Sequence, residues 1–320
     1  MSRTLFAAAA LAFAGGAFAQ AAFPGRPITM VVGFAPGGGT DTAARILARA
    51  VAETLGQPVQ VENRAGAGGN IAHDLVAKAL PDGHTILLGS VGPLTVAPHM
   101  IKNLPYDPLK DLAPVTMAVT FANVLVVHDE VPVRTLAEYV KYANDKGGTL
   151  TYGSSGIGGA GHLSGELFRM MSRVGIVHVP YKGGGPAMQD LLGKQISSIF
   201  ATPISAGPHI KSGRIRALAV TSAKRTEFMP EVPTVAESGY PGFEATNWYA
   251  YVLPAKTPND VVARWNRELV KALNDAGVRK ALLDQGMEPA PGTREELAAY
   301  IKREYDTWAR VVREAKITAN

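Results

Sequence analysis

Cysteine is absent from all 320 residues of the chain. That excludes disulfides, thiolate zinc sites, iron–sulfur clusters, cysteine nucleophiles and lipid attachment through a cysteine. A basic run is missing as well. The formal net charge is +5, but Lys and Arg are scattered singly, so no phosphate track forms and no nucleic-acid partner is expected. The seven histidines show no His-Glu-x-x-His or other metal-ligand spacing. There is also no Gly-x4-Gly-Lys-[Ser/Thr] loop, and Gly153-x-Ser155 lacks the closing glycine of a nucleophile elbow. No metal, no cofactor and no catalytic residue is therefore expected, and the chain reads as a non-enzyme. A hydrolase would need a reactive serine among Ser90, Ser154 and Ser155, and none has a visible His–Asp partner.

What is present begins at the N-terminus. Arg3 is the only charge in residues 1–19, an apolar run covers 5–13, and Ala17-Phe18-Ala19 follows a Gly-Gly pair. This is the pattern of a secretory signal peptide over residues 1–19. A membrane anchor would need about 18 apolar residues without glycine breaks, and no later window offers them. An exported chain with no cysteine to lipidate is expected to be free in the periplasm. The whole chain is 47% hydrophobic, too apolar for disorder and long enough for about two domains.

Short β-rich runs alternate with helical patterns, which predicts an α/β fold. Residues 28–34, 58–62, 85–88, 124–127, 150–152, 177–179, 196–200 and 215–220 read as strands. Their continuous Val/Ile/Leu character suggests a parallel sheet covered on both faces. Thr135-x-x-Glu138 and Thr293-x-x-Glu296 are capping boxes. Thr257-Pro258 places Pro at a first helical position, and Gly277 is the expected stop of that helix. The Pro-rich stretches 105–114 and 230–242 divide the chain. They predict one lobe from residues 20–122 and 221–320, a second from 123–220, and a ligand cleft between the two.

Four glycine loops follow strands. Phe34-Ala35-Pro36-Gly37-Gly38-Gly39-Thr40-Asp41 precedes a helix read from residue 42, with Thr40 or Asp41 as its cap. Helix N–H groups and the dipole there favour an anion, although a tight strand-to-helix turn would need the same glycines. Ser154-Ser155-Gly156-Ile157-Gly158-Gly159-Ala160-Gly161-His162 repeats the arrangement before a helix read from 163. Its Gly-x-Gly-x-x-Gly matches a dinucleotide fingerprint formally, but Tyr181 and Lys182 stand where the ribose carboxylate belongs. Gly66–Asn70 and Gly89-Ser90-Val91-Gly92 complete the set. Ligands of open α/β sheets sit at strand carboxyl ends, so all four loops should converge on one cleft and hold a small anion chiefly through backbone N–H groups. His162 could touch the ligand or only its own loop. Tyr181, Trp248 and Tyr249 are each open between cleft wall and core. Arg64 reads as an ion-pair partner rather than a clamp.

These residues resemble a known family. Residues 32–41 (Val-Gly-Phe-Ala-Pro-Gly-Gly-Gly-Thr-Asp) are similar to the signature loop of the Bug proteins, the extracytoplasmic solute-binding proteins of tripartite tricarboxylate transporters. The likeness continues through 61–69, 81–85, 104–108, 178–183, 216–221 and 232–237, in order. It implies a two-lobed periplasmic-binding-protein fold (Venus-flytrap, type II-like) with two crossover strands. It further implies a small carboxylate ligand (a di- or tricarboxylate, an acidic amino acid or an aromatic acid) and a membrane permease as partner, with the binding protein monomeric. An exported carboxylate sensor acting on a membrane signalling partner is the alternative. The family's first-strand loop and Ser/Gly loop hold one carboxylate, partly through waters. The contact set implied here is Phe34, Gly37, Gly38, Gly39, Thr40, Asp41, Gly89, Ser90, Ser154, Ser155, Gly156, Gly158, Gly159, His162, Tyr181 and Thr202. Gly159 departs from the Ser or Thr expected in the second loop.

Overall fold

The computed structural model describes residues 23–314; the expected signal peptide lies outside them. In chain order the elements are β1 (Ile28–Val32), α1 (Gly39–Leu55), β2 (Val59–Asn63), α2 (Asn70–Ala77), β3 (Thr85–Ser90), α3 (Ala97–Met100) and β4 (Leu112–Ala122). Then come β5 (Val124–His128), α4 (Leu136–Asp145), β6 (Leu150–Ser154), α5 (Ala160–Ser172), β7 (Ile176–Pro180), α6 (Gly184–Leu192), β8 (Ser198–Ala201), α7 (Pro203–Lys211) and β9 (Ile215–Val220). The chain closes with β10 (Thr246–Pro254), α8 (Asn259–Asn274), α9 (Ala276–Leu283), β11 (Glu288–Pro289) and α10 (Arg294–Glu314).

Two sheets result, in the orders β11-β4-β10-β3-β1-β2 and β7-β6-β8-β5-β9. Both are mixed rather than parallel. β1 runs parallel to β2 and β3, whereas β10 runs against β3 and β4. In the second sheet β6 is parallel to β7 and β8, while β5 opposes β8 and β9. The apolar runs report burial on two faces, not strand direction. Ile28, Met30 and Val32 of β1 pack with the α1 stripe Ala43, Ala44, Leu47 and Val51 and with Trp265 of α8. Val31, one position out of phase, joins Leu87, Trp248, Leu297 and Ile301 on the opposite face. The second sheet divides likewise: Leu125 and Val127 face Tyr139, Tyr152 and Phe168, and Val124 and Val126 face Ala187 and Leu191.

Several boundaries differ from expectation. The stretch read as a turn-rich connection is β4 from Leu112 onward. Pro114 is tolerated because the outer neighbour β11 pairs only at Val119 and Thr120, leaving β4 an edge at Pro114 where no N–H is needed. α1 begins at Gly39 with Gly38 as its cap, so Thr40 and Asp41 lie inside the first turn. α5 begins at Ala160 rather than 163. Pro258 is the cap of α8, not its first residue, and the break after α8 falls at Asp275, whose carboxylate accepts from Val278 N at 3.0 Å. Gly277 lies within α9. Along the return path, Val220 N donates to Pro233 O and Val235 N to Val220 O. Met229, Val232, Val235 and Phe243 then pack on the second sheet.

Candidate functional site

The first loop turns out of β1 through Gly37, whose φ of 83° only glycine takes without strain. α1 then starts from Gly38 with no side chain capping its N–H groups. A side chain at Gly39 would stand 3.1 Å from Tyr249 Oη and 3.2 Å from Thr202 Cγ2, so glycine lets the helix start approach both. Asp41 points away and anchors the turn. Its carboxylate accepts from Gly37 N at 3.1 Å, from Arg45 Nη2 at 2.8 Å and from Asn63 Nδ2 at 2.9 Å. Burial pushes this carboxyl up, but the bonds from Arg45, Asn63 and Gly37 outweigh burial and hold it below its ordinary value.

The second loop is fastened without charge. Ser154 Oγ accepts from Gly156 N at 3.1 Å and pairs with His178 Nε2 at 2.7 Å. Gly158 N donates to His162 Nδ1 at 3.0 Å, and the two imidazoles stack with centroids 4.1 Å apart. Burial, with His162 and Arg169 adding to it, pushes His178 down to about 3. Burial also lowers His162, against the pull of Glu166. Both rings are therefore neutral near neutral pH, each with one donor and one acceptor nitrogen, and the acceptor of His162 is Nδ1. The Ser154–His178 pair resembles a catalytic dyad, yet Ser154 is buried and spends its oxygen on its own loop.

The two lobes touch across these loops. Ala35 N donates to Lys182 O at 3.0 Å. A Cβ at Gly92 would lie 2.2 Å from Gly158 O, and one at Gly68 would lie 2.0 Å from Ile157 O. Beside them lies a partly open cavity of about 40 Å³, room for roughly three water-sized spheres. Among the expected residues Phe34, Gly38, Gly39, Thr40, Ser90, Ser155 and Thr202 line it. The others stand behind the wall. Gly37, Gly156, Gly158 and Gly159 shape the turns, and Asp41, Ser154 and His162 brace them. Gly89 packs on His73, and Tyr181 donates to Asp190 at 2.7 Å. Arg64 pairs with Glu62. Trp248 is core, and Tyr249 is cavity wall: burial pushes its phenol up, opposed by a hydrogen bond with Thr40.

Four helices begin at this cavity: α1 at Gly38 and Gly39, α5 at Ala160 and Gly161, α6 at Gly184, and α7 at Thr202 and Ser205. None of the four N-caps makes a side-chain cap bond. No lining residue is charged. Each N-terminus carries roughly +0.5 charge, so the field is positive without a single cation. Ser90 Oγ is buried and has no partner among the described residues. The α6 start escaped the sequence reading and α7 entered it only through Thr202, though local signals existed for both. Gly183-Gly184-Gly185 repeats the strand–glycine–helix pattern of 37–39, and Thr202-Pro203 is a cap followed by Pro at N1. Asn123 and Asn247, also in the wall, carry no local signal at all.

Among the described residues no group of three or more His, Cys, Asp or Glu side chains could hold a metal ion. The family model described as tripartite tricarboxylate transporter family receptor matches residues 43–317. The solved structure of the periplasmic binding protein BugD is 36% identical, with a TM-score of 0.89 over 92% of this chain and 99% of that one. A R. palustris protein with adipate is 35% identical, with a TM-score of 0.90 over 92% of this chain and 99% of that one. MatC from Rhodopseudomonas palustris with bound malate is 34% identical, with a TM-score of 0.86 over 91% and 100%. The chain therefore belongs to the tripartite tricarboxylate transporter receptor family, as a two-lobed solute-binding protein of the Bug type and not an enzyme.

Proposed function

We propose that the protein captures a small carboxylate between its lobes and hands it to the membrane permease of a tripartite tricarboxylate-type transporter. One observation carries this reading: four uncapped helix N-termini meet at a narrow, uncharged cavity. Oriented N–H groups in a site shielded from water bind an anion more strongly than they would in solution. The N–H groups of the α1 and α5 starts take one carboxylate, aided by the hydroxyls of Thr40, Ser155, Thr202 and Ser205. Adipate and malate in the solved relatives support this ligand class. The first lobe comprises 20–122 and the C-terminal part from 246. The second runs over 123–245, longer than the 123–220 read from sequence, because residues 229–243 pack on its sheet. Capture takes place in the periplasm by a monomer exported through residues 1–19.

A thermal-shift panel of mono-, di- and tricarboxylates, acidic amino acids and aromatic acids on residues 20–320 tests the reading. A true ligand at 100 times its Kd should stabilise by about 2.7 kcal/mol. Stabilisation by sugars or neutral amino acids, with none by any carboxylate, would overturn it.

A further inference from the structure

The two chain crossings between the sheets each place an asparagine in the cavity wall. Asn123 is the single residue between β4 of the first sheet and β5 of the second. Asn247 is the second residue of β10, the strand that carries the chain back. Along β10, Asn247 and Tyr249 share one face and Trp248 takes the other, which puts Asn247 toward the cavity and Trp248 into the core. The exposures of Asn123 and Asn247 are 1% and 5%.

Their amides are loosely used. Asn123 Nδ2 reaches Ser164 Oγ at 3.3 Å, and Asn247 Nδ2 reaches Asn123 Oδ1 at 3.4 Å. Both contacts are at the long limit of hydrogen bonding. Each amide nitrogen carries two N–H donors, so one on each side chain has no protein acceptor among the described residues. The Asn247 oxygen, by contrast, is firmly engaged by Trp248 N at 2.8 Å, which fixes the amide's orientation with its nitrogen as the free end. The unpartnered Ser90 Oγ stands in the same wall, on β3 in register with Tyr249. Buried donors left without acceptors are costly. This strand-built wall thus offers donors separate from those of the four helix starts.

We propose that Asn123, Asn247 and Ser90 grip the end of the ligand remote from its first carboxylate, selecting short acids that carry a second oxygen acceptor, a carboxylate or a carboxamide. The inference rests on the carboxylate-capture reading and narrows it. Because Asn123 and Asn247 sit on the crossings themselves, the same bonds fix the angle between the lobes when the ligand is in place.

Calorimetric titration with succinate, succinamate and butyrate, and in parallel with adipate and hexanoate, tests this. The wild-type chain should bind succinate and succinamate at least about tenfold more tightly than butyrate, the loss expected for an unmet donor pair. N247D and N123D keep the amide shape but remove the donors. N247A and N123A remove the donors without adding charge. N247A and N123A should each collapse the succinate-to-butyrate ratio toward one while leaving butyrate within about threefold, whereas N247D and N123D, which add a buried negative charge beside the anion, should weaken succinate and butyrate alike. S90A, which breaks no protein hydrogen bond, should reduce the ratio by a smaller factor and keeps the test alive if the asparagine variants fail to fold. An unchanged ratio in the alanine variants overturns the inference and leaves carboxylate capture standing. So does tight binding of butyrate or hexanoate by the wild type, or binding of aromatic acids alone. Binding of no carboxylate of any kind overturns the capture reading itself.

Discussion

The two glycine loops facing each other across the cleft are built to one plan and held by opposite means. In the first lobe a charged carboxylate, Asp41, gathers Gly37 N, Arg45 and Asn63 around itself. In the second, two neutral imidazoles and a hydroxyl gather Gly156 N and Gly158 N. Both devices use side chains behind the wall to occupy N–H groups of the turn, which leaves the helix-start N–H groups free for a ligand. The difference lies in what can undo them. An ion pair with an exposed arginine is screened by salt, whereas buried neutral histidines are indifferent to salt and vulnerable to acid.

The comparison breaks most completely where the loops must meet. Gly92 does not take a left-handed backbone, and the atoms nearest to an added Cβ all belong to the second lobe, Gly158 O at 2.2 Å first among them, so alanine there meets the facing loop rather than its own lobe. Gly92→Ala should therefore hold the lobes apart and lower carboxylate affinity by about a hundredfold or more, close to 3 kcal/mol. The melting temperature of the ligand-free protein should barely move. Calorimetry alongside a melt decides it: a large drop in ligand-free stability would mean that Gly92 serves the fold rather than closure.

The second loop alone is tested at His162. His162→Leu leaves Gly158 N without its acceptor, at a cost of about 1–3 kcal/mol, and affinity should fall about tenfold. His162→Asn offers an oxygen near the place of Nδ1 and should recover most of that loss. Equal losses in the two variants would show that the stacked ring, and not the acceptor, holds the loop.

How far the sequence could carry this follows from where each signal resides. Gly37–Gly39 were readable because a strand, three glycines and a helix are contiguous, and contiguity is what a linear reading sees. Strand directions were not, because Val31 and Leu87 are apolar for two-sided burial in either sense. The role of Asp41 was misassigned for a similar reason. A carboxylate in a first helical turn looks like a cap or a contact until Asn63, 22 residues on, is seen to turn it away. Asn123 and Asn247 lie 124 residues apart and meet only because the chain crosses twice between sheets. No local pattern encodes that. Gly183–Gly185 marks the opposite case, a legible signal whose partner loops made it meaningful only in three dimensions.

Acid separates the two anchors by the smallest margin. His178 has a folded value of about 3, below the unfolded value near 6.5, so the unfolded chain binds its proton more readily. Its contribution is fully present above pH 6.5 and is lost as pH falls toward 3. Asp41 is also lowered, from 3.8, so its contribution persists until pH falls below that value. Between pH 7 and 6 only the histidine side weakens, by less than about 1 kcal/mol for His178. His73, pushed down to about 4 by burial, adds a share of its own beneath the Gly66–Asn70 loop. His178→Gln, which keeps a polar group for Ser154 Oγ, should flatten the pH dependence of the melting temperature across this window by the His178 share alone. Asp41→Asn should lower stability without changing the slope there. An equally steep slope in His178→Gln and wild type would mean that the second loop is not acid-labile, and the contrast between the two anchors would fail.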